Sequence, residues 1–227
     1  MNWLRFKNVL STGYGLIITD LGRRSRAEEQ IDIYEIPYRN DDLIIHSNKY
    51  KPYLREVVCA VKDQYKMPEI NQWLSDRGEL RTSIDSGGYF IASVVTGLPY
   101  KQMMNGVDSF QVGFKVNPFF YLDSGTATIQ VTQGTPINNI GTIYSEPYIK
   151  ITGNGNITLT INSTVVTLTG ITDYIELDSE LKIAYKGTLN QGDKMVGDFP
   201  ILNVGNNYFA WTGNVTKVEI IPRWREL

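Results

Sequence analysis

Phe110-Gln111-Val112-Gly113-Phe114-Lys115-Val116 alternates, so that Phe110, Val112, Phe114 and Val116 share one face. Period two is the mark of a strand with one buried side. Pro118 is expected to close the run, because proline cannot donate to a ladder. Upstream, residues 54–62 behave alike: Val57, Cys59 and Val61 fall on one side, Glu56, Val58, Ala60 and Lys62 on the other. Tyr89 to Val95 is a third such stretch, flanked by Gly87, Gly88 and Gly97. A single amphipathic helix interrupts them. Pro68 suits its first turn, Ile70, Trp73 and Leu74 recur at helical spacing, and Gly78 supplies a stop. Residues 1–122 therefore read as a mostly β domain with one helix packed on a sheet.

The composition changes after Asp123-Ser124-Gly125, where threonine and asparagine become frequent and charge thins. Short strands are expected at 126–131, 148–152, 157–161, 165–168, 174–177, 208–212 and 215–220, with a weak helical patch near Leu177 to Ala184. Turn signals separate them: Gly153-Asn154-Gly155-Asn156, Asn162-Ser163, Gly205-Asn206-Asn207 and Gly213-Asn214. That spacing predicts a second domain, an antiparallel β-sandwich over 123–227. The fold class is mainly β.

The 227 residues are 42% hydrophobic and 20% charged with a net charge of −2, which suits packed interiors and removes the long-range field of a dedicated nucleic-acid binder. No run reaches the roughly 18 apolar residues of a membrane helix. The first residues hold no apolar stretch long enough for a signal peptide, so export by that route is not expected. Cys59 is the only cysteine and His46 the only histidine. No intrachain disulfide, thiolate zinc cluster or multi-histidine metal site can be assembled from them, and a reducing compartment is expected.

Cys59 alternates with Val57 and Val61 and reads as a small buried hydrophobe. His46 beside Asp41-Asp42 reads as a histidine near a turn. Gly153-Asn154-Gly155 lacks the strand-to-helix crossover that phosphate binding needs and reads as a hairpin turn. Glu28-Glu29 and Asp178/Glu180 are carboxylate pairs without a cleft inferable around them, a poor basis for a glycosidase. Gly22-Arg23-Arg24-Ser25-Arg26, followed by Glu28-Glu29, lacks interleaved aromatics and reads as a solvated or subunit-contacting loop. The sequons at Asn156, Asn162 and Asn214 reflect the residue usage of turns and strand faces. Tyr 14, Phe 8 and Trp 4 suit interfaces, a sugar-binding face or ordinary β packing alike.

The C-terminal half carries a more specific order. Tyr148 through Asn162 (YIKITGNGNITLTIN) is followed by Tyr174-Ile175-Glu176-Leu177-Asp178-Ser179-Glu180, Ala184-Tyr185, Gly197-Asp198-Phe199-Pro200-Ile201-Leu202 and Gly205-Asn206-Asn207. Trp211-Thr212-Gly213-Asn214-Val215 and Pro222-Arg223-Trp224-Arg225-Glu226-Leu227 complete it. This order resembles the distal tail protein family of long, non-contractile-tailed phages and prophages of Gram-positive bacteria. Ile36-Pro37-Tyr38-Arg39-Asn40-Asp41 is similar to that family's Ile-Pro-Gly-Arg-Asn-Gly turn, with Tyr38 and Asp41 standing where glycines are common. The chain is short for the family and leaves no room for inserted carbohydrate-binding modules.

The resemblance implies an N-terminal ring-forming β-sandwich domain, usually hexameric, and a C-terminal galectin-like β-sandwich. It implies a structural virion protein, not an enzyme and without a cofactor or metal, made in the host cytoplasm and placed at the virion tail tip as a baseplate hub. Its partners would be copies of itself, the tail-tube protein, the tail-tip or tail-associated lysin protein and, in many phages, receptor-binding proteins. No membrane or sequence-specific nucleic acid is implied, although DNA would pass through the ring. Galectins use a His/Asn/Arg set with a stacking Trp, and the C-terminal half has no histidine, so no sugar site carries over.

Head-to-tail rings need two complementary patches per subunit. The candidates are the hairpin Ile31 to Ile45 and the basic run, with Arg23, Arg24, Arg26, Glu28, Tyr34, Tyr38, Arg39, Asp41 and Asp42 as subunit or tube contacts. Pro222, Trp224 and Leu227 are expected to seal the second domain. The alternatives are a carbohydrate-binding β-sandwich attaching to host cell-wall sugars, and a cell-wall hydrolase for which no nucleophile or acid/base dyad can be named.

Overall fold

The computed structural model describes residues 2–96, 100–102 and 108–227. The chain divides into two compact units, residues 1–120 with Leu227, and residues 121–226. Both are built on antiparallel sheets, and the fold is mainly β with one α-helix among the described residues.

The first unit opens with β1 (Leu4–Phe6), β2 (Val9–Leu10) and β3 (Leu16–Asp20). A ribbon follows, β4 (Glu29–Tyr34) and β5 (Leu43–Tyr50), and then β6 (Tyr53–Val61). Helix α1 (Met67–Trp73) precedes β7 (Arg77–Thr82), β8 (Asp85–Val94), β9 (Tyr100–Gln102) and β10 (Asp108–Leu122). The main sheet runs β2-β1-β7-β8-β10-β6-β3, with β9 also on β10, while β4 and β5 form a separate two-stranded sheet.

The alternating residues 110–116 do face the interior: Phe110, Val112, Phe114 and Val116 are buried, as are Val57, Cys59 and Val61 on β6. Pro118, however, does not end the strand, which continues to Leu122. The ladder to β6 ends at Val116 opposite Tyr53, so Pro118 lies past its last pair, where no donor is owed to β6. The helix sits where its spacing places it. Met67, Ile70 and Trp73 are buried, and the Trp73 indole donates to Phe6 O at 2.9 Å.

A buried ion pair braces the same unit. Arg55 Nη1 lies 2.6 Å from Asp85 Oδ2, Arg55 Nε donates to Leu21 O at 2.8 Å, and Thr82 Oγ1 donates to the same carboxylate at 2.6 Å.

The second unit contains β11 (Ile129–Gln130), β12 (Ile137–Asn139), β13 (Tyr148–Ile161), β14 (Thr164–Ile171) and β15 (Tyr174–Asp178). After these come β16 (Ile183–Lys186), β17 (Leu189–Asn190), β18 (Met195–Val196), β19 (Gly205–Asn207), β20 (Phe209–Ile221) and β21 (Arg225–Glu226). Its main sheet runs β11-β20-β13-β15-β16-β17, β14 joins β13 to β18, and β12 pairs with β19. Ile149, Ile151, Ile157, Leu159 and Ile161 of β13 enter one apolar core with Val166, Leu168, Ile175, Leu177, Val218, Ile220 and Trp224.

Two expected turns are in fact bulges. β13 runs unbroken through Gly153-Asn154-Gly155-Asn156, and its partner β20 runs through Gly213-Asn214. Their register shifts between Thr152 and Gly153 and again between Asn154 and Thr158. Gly213 has φ +97 and a Cβ there would sit 2.3 Å from Asn156 O; one on Gly153 would sit 2.4 Å from Asn214 O. Glycine is needed for two backbones to pass this closely, and the chain bends without reversing. Asn162-Ser163 is a true two-residue turn between β13 and β14, with Asn162 at φ 54. Gly205-Asn206-Asn207 is strand β19, and the helical patch at 177–184 is the β15–β16 connection.

Candidate assembly interface

The β4–β5 ribbon is the most exposed apolar element of the first unit. Ile31, Ile33, Tyr34, Leu43, Ile44 and Ile45 all stand 41–56% in solvent, and Tyr38 at its tip is fully exposed. The sequence forms a ribbon because apolar β-formers on both arms flank a turn. In that turn Pro37 precedes Tyr38, and Arg39 N donates to Ile36 O at 3.1 Å. Tyr38 takes φ 67, the left-handed conformation that the third position of a type II turn requires.

The root of the ribbon is fixed more firmly. Tyr50 packs edge-on against Phe119 at 5.8 Å, and Lys51 N donates to Glu28 O at 2.8 Å. The His46 ring and the Glu29 carboxylate meet at 3.0 Å beside an irregular step in the register, where Asn48 holds φ 54.

The expected contact residues separate by role. Arg24 stacks over Phe120 at 4.7 Å and Phe90 at 5.5 Å, a cation–π arrangement within its own unit. Glu28 pairs with Lys51 at 3.4 Å, both well exposed. Arg23 and Arg26 are exposed, and among the described residues neither makes an ion pair; the same holds for Asp32, Glu35, Asp41 and Asp42 of the ribbon and its tip. Arg23 borders an open groove of about 380 Å³ with Asp20, Glu56, Leu54 and Gln111. Asp42, Arg39 and Tyr38 line a second hollow of the same size at the tip with Glu35, Ile36 and Pro37. The sequence marks this hairpin for contact but does not show that both of its faces are apolar. The register is what reveals that.

The end of the chain is stitched into the second unit. Trp224 and Pro222 are buried, and Leu122 N donates to Trp224 O at 2.8 Å. Leu227 is half-buried and groups with the first unit. Arg223 grips Asp178 with both guanidinium nitrogens at 2.8 Å, and Arg225 reaches Tyr144 O at 2.8 Å and Glu146 Oε2 at 3.0 Å. Burial opposes the charge on Asp178, but the Arg223 hydrogen bonds and the Leu181 and Glu180 amides outweigh it and hold the carboxyl below its ordinary value. Cβ atoms on Gly125 and Gly141 would lie 2.3 Å from Trp224 N and 2.2 Å from Arg225 O. Nothing larger than glycine fits beneath this segment.

Burial pushes the Cys59 thiol up to about 12, which removes the thiolate at neutral pH. On the open face of the second sheet, Glu176 accepts from Tyr148 Oη and Gly187 N, and the Tyr174 ring is capped by Lys150 Nζ at 4.4 Å and Lys186 Nζ at 5.0 Å. The ring face of Tyr174 is thereby covered by two lysines, and the Tyr148 hydroxyl is spent on Glu176.

Neither a family model nor a curated protein matches the sequence. Among solved structures, the chain is similar to the crystal structure of SPP1 Dit (gp 19.1), described as a paradigm of the hub adsorption apparatus in phages infecting Gram-positive bacteria. The likeness spans 97% of each chain with a TM-score of 0.76 at 12% sequence identity. The two share a fold.

Proposed function

We propose, from the premise that this chain has the SPP1 Dit fold, that it is a structural tail protein, a distal hub of the adsorption apparatus of a phage or prophage of Gram-positive bacteria. In this reading it is not an enzyme. Copies close head to tail into a ring, most simply a hexamer, that joins the tail tube to the tail-tip or lysin protein and on which receptor-binding proteins are carried. It is made in the host cytoplasm and ends at the virion tail tip.

The observation that carries the reading is the apolar ribbon presented on this fold. A lone two-stranded hairpin is marginal in water, and exposed apolar strands invite pairing with another chain. Its unpaired acids and the unpaired Arg23 and Arg26 give one chain both halves of a charge-complementary contact, which favours register more than affinity. The alternative of a sugar-binding module finds less support, since the aromatic face of the second unit spends its polar groups internally.

Light scattering with negative-stain imaging of the purified chain tests the proposal. A defined ring with an open centre is expected. A monomer that binds a cell-wall glycan, or turnover of peptidoglycan by the pure protein, refutes it.

A further inference from the structure

β1, β7 and β8 lie side by side in the main sheet of the first unit. Leu4, Phe6, Leu80, Thr82, Phe90 and Ala92 of these strands are buried. Side chains alternate along a strand, so Arg5, Arg77, Glu79 and Arg81 stand on the opposite, outward face. The register sets Arg5 directly across from Arg81, with Cβ atoms about 5 Å apart. Arg77 lies about 13 Å from Arg81 along β7. Like charges placed opposite one another weaken a sheet.

Arg81 is held in position. Its Nη1 donates to Gly88 O at 3.3 Å, its guanidinium lies over the Tyr89 ring at 4.8 Å, and its Nη2 is 3.6 Å from Glu79 Oε2. Arg5 and Arg77 are exposed, and among the described residues neither makes a hydrogen bond or an ion pair. Three guanidinium groups thus face solvent beside one carboxylate, an arrangement that gives the sheet nothing. Local rules broken without internal compensation mark surfaces kept for another purpose.

We propose that this face contacts the phosphate backbone of double-stranded DNA. Guanidinium forks match phosphate oxygens, and a backbone contact needs no base readout. Acidic protein is the rival partner, and the face is built against it. Contacts between proteins centre on apolar side chains and shed charge there. Here arginines hold the centre, and none of the exposed large hydrophobic residues stands on the outward face of these strands. A net charge of −2 adds no long-range pull, so the contact is weak and screened by salt, which suits a duplex that slides past.

In the ring reading above, on which this rests, the duplex is the genome crossing the open centre. The experiment separates the two. Fluorescence anisotropy of a labelled duplex of about 20 base pairs is read against the full-length chain over a salt series, and sedimentation velocity reads its mass. Arg5→Gln/Arg77→Gln removes two exposed guanidinium groups, and the melting temperature is expected to stay. The wild-type chain is expected to bind at low salt. The double variant should bind tenfold or more weakly and lower the salt slope by about 2, at roughly 0.9 per phosphate. Rings with the same duplex affinity in both forms overturn the DNA face and leave the ring. Monomeric protein that still loses the duplex with these arginines keeps the phosphate contact and overturns the ring. Polyglutamate that displaces the duplex at equal charge overturns DNA in favour of an acidic protein.

Discussion

Replacing Tyr38 with glycine separates two demands that this residue meets in opposite senses. The turn wants glycine: a side chain at φ 67 costs about 1–2 kcal/mol in the left-handed region. Glycine gives back roughly 0.4–1 kcal/mol through the extra freedom of the unfolded chain. The hairpin of the isolated subunit should therefore change by about 0–1.6 kcal/mol, in the stabilising direction. The contact wants tyrosine. Its fully exposed ring, if buried against a neighbour, contributes roughly 1.5–3 kcal/mol, and a central aromatic anchor more. A loss of about 2 kcal/mol per contact moves the association constant some 30-fold, at 1.4 kcal/mol per decade. Tyr38→Gly should keep or slightly raise the melting temperature of the wild-type subunit and assemble only at concentrations more than tenfold higher in sedimentation velocity. Tyr38→Ala keeps the strain and loses the ring, so it should be the worse of the two in both measurements. A glycine variant that assembles at the wild-type concentration or below it would reduce Tyr38 to a poorly chosen turn residue, and the reasoning would fail.

Three further outcomes are expected. Arg24→Ala should lower thermal stability by about 0.5–2 kcal/mol through the lost stacking on Phe120 and Phe90, whereas Arg23→Glu should leave the melt unchanged and weaken assembly; the reverse pattern would exchange their roles. Asp85→Ala strands the Arg55 guanidinium, whose side chain is 0% exposed, and should cost about 3–5 kcal/mol in chemical denaturation, with Arg55→Met/Asp85→Leu recovering most of it. The carboxyl of Asp178 is depressed in the folded state, so the stability it contributes is fully present above the ordinary carboxylate range near pH 4 and is lost as pH falls through the lower folded value. Asp178→Asn should therefore lower the melting temperature at pH 7 and narrow its gap to wild type below pH 4.

Alternation was legible in the sequence because burial enforces it locally: residues 110–116 and 57–61 each need only one sheet face to be fixed. The helix at Met67–Trp73 announces itself through Pro68 and its apolar spacing. What misled was glycine. Gly153-Asn154-Gly155 and Gly213-Asn214 carry the residues of a hairpin turn, yet they lie across from one another in two long paired strands. Each supplies the missing side chain that the other backbone needs, a condition set by a partner some 60 positions away. Pro118 misled similarly, since whether a proline ends a strand depends on which neighbour still requires its donor. The proposed contact surface was half legible. The hairpin and its charges stand in the sequence, but the pairing of Ile33 with Ile44 and Tyr34 with Leu43 had to be seen before both faces proved apolar. Nothing in the local sequence shows that Arg24 stacks on two phenylalanines while Arg23 does not.

The passage of Trp224 and Arg225 over Gly125 and Gly141 has a bearing on when this protein can take shape in the cell. On the ribosome, the strands that begin the second unit emerge roughly a hundred codons before the segment that locks them. The first unit, by contrast, has nearly all of its own partners in hand by then. Nascent chains will thus carry a finished amino-terminal unit beside an open carboxy-terminal one. Loss of Trp224 and Arg225, through a frameshift or a proteolytic clip ahead of them, should cost the second unit its native state.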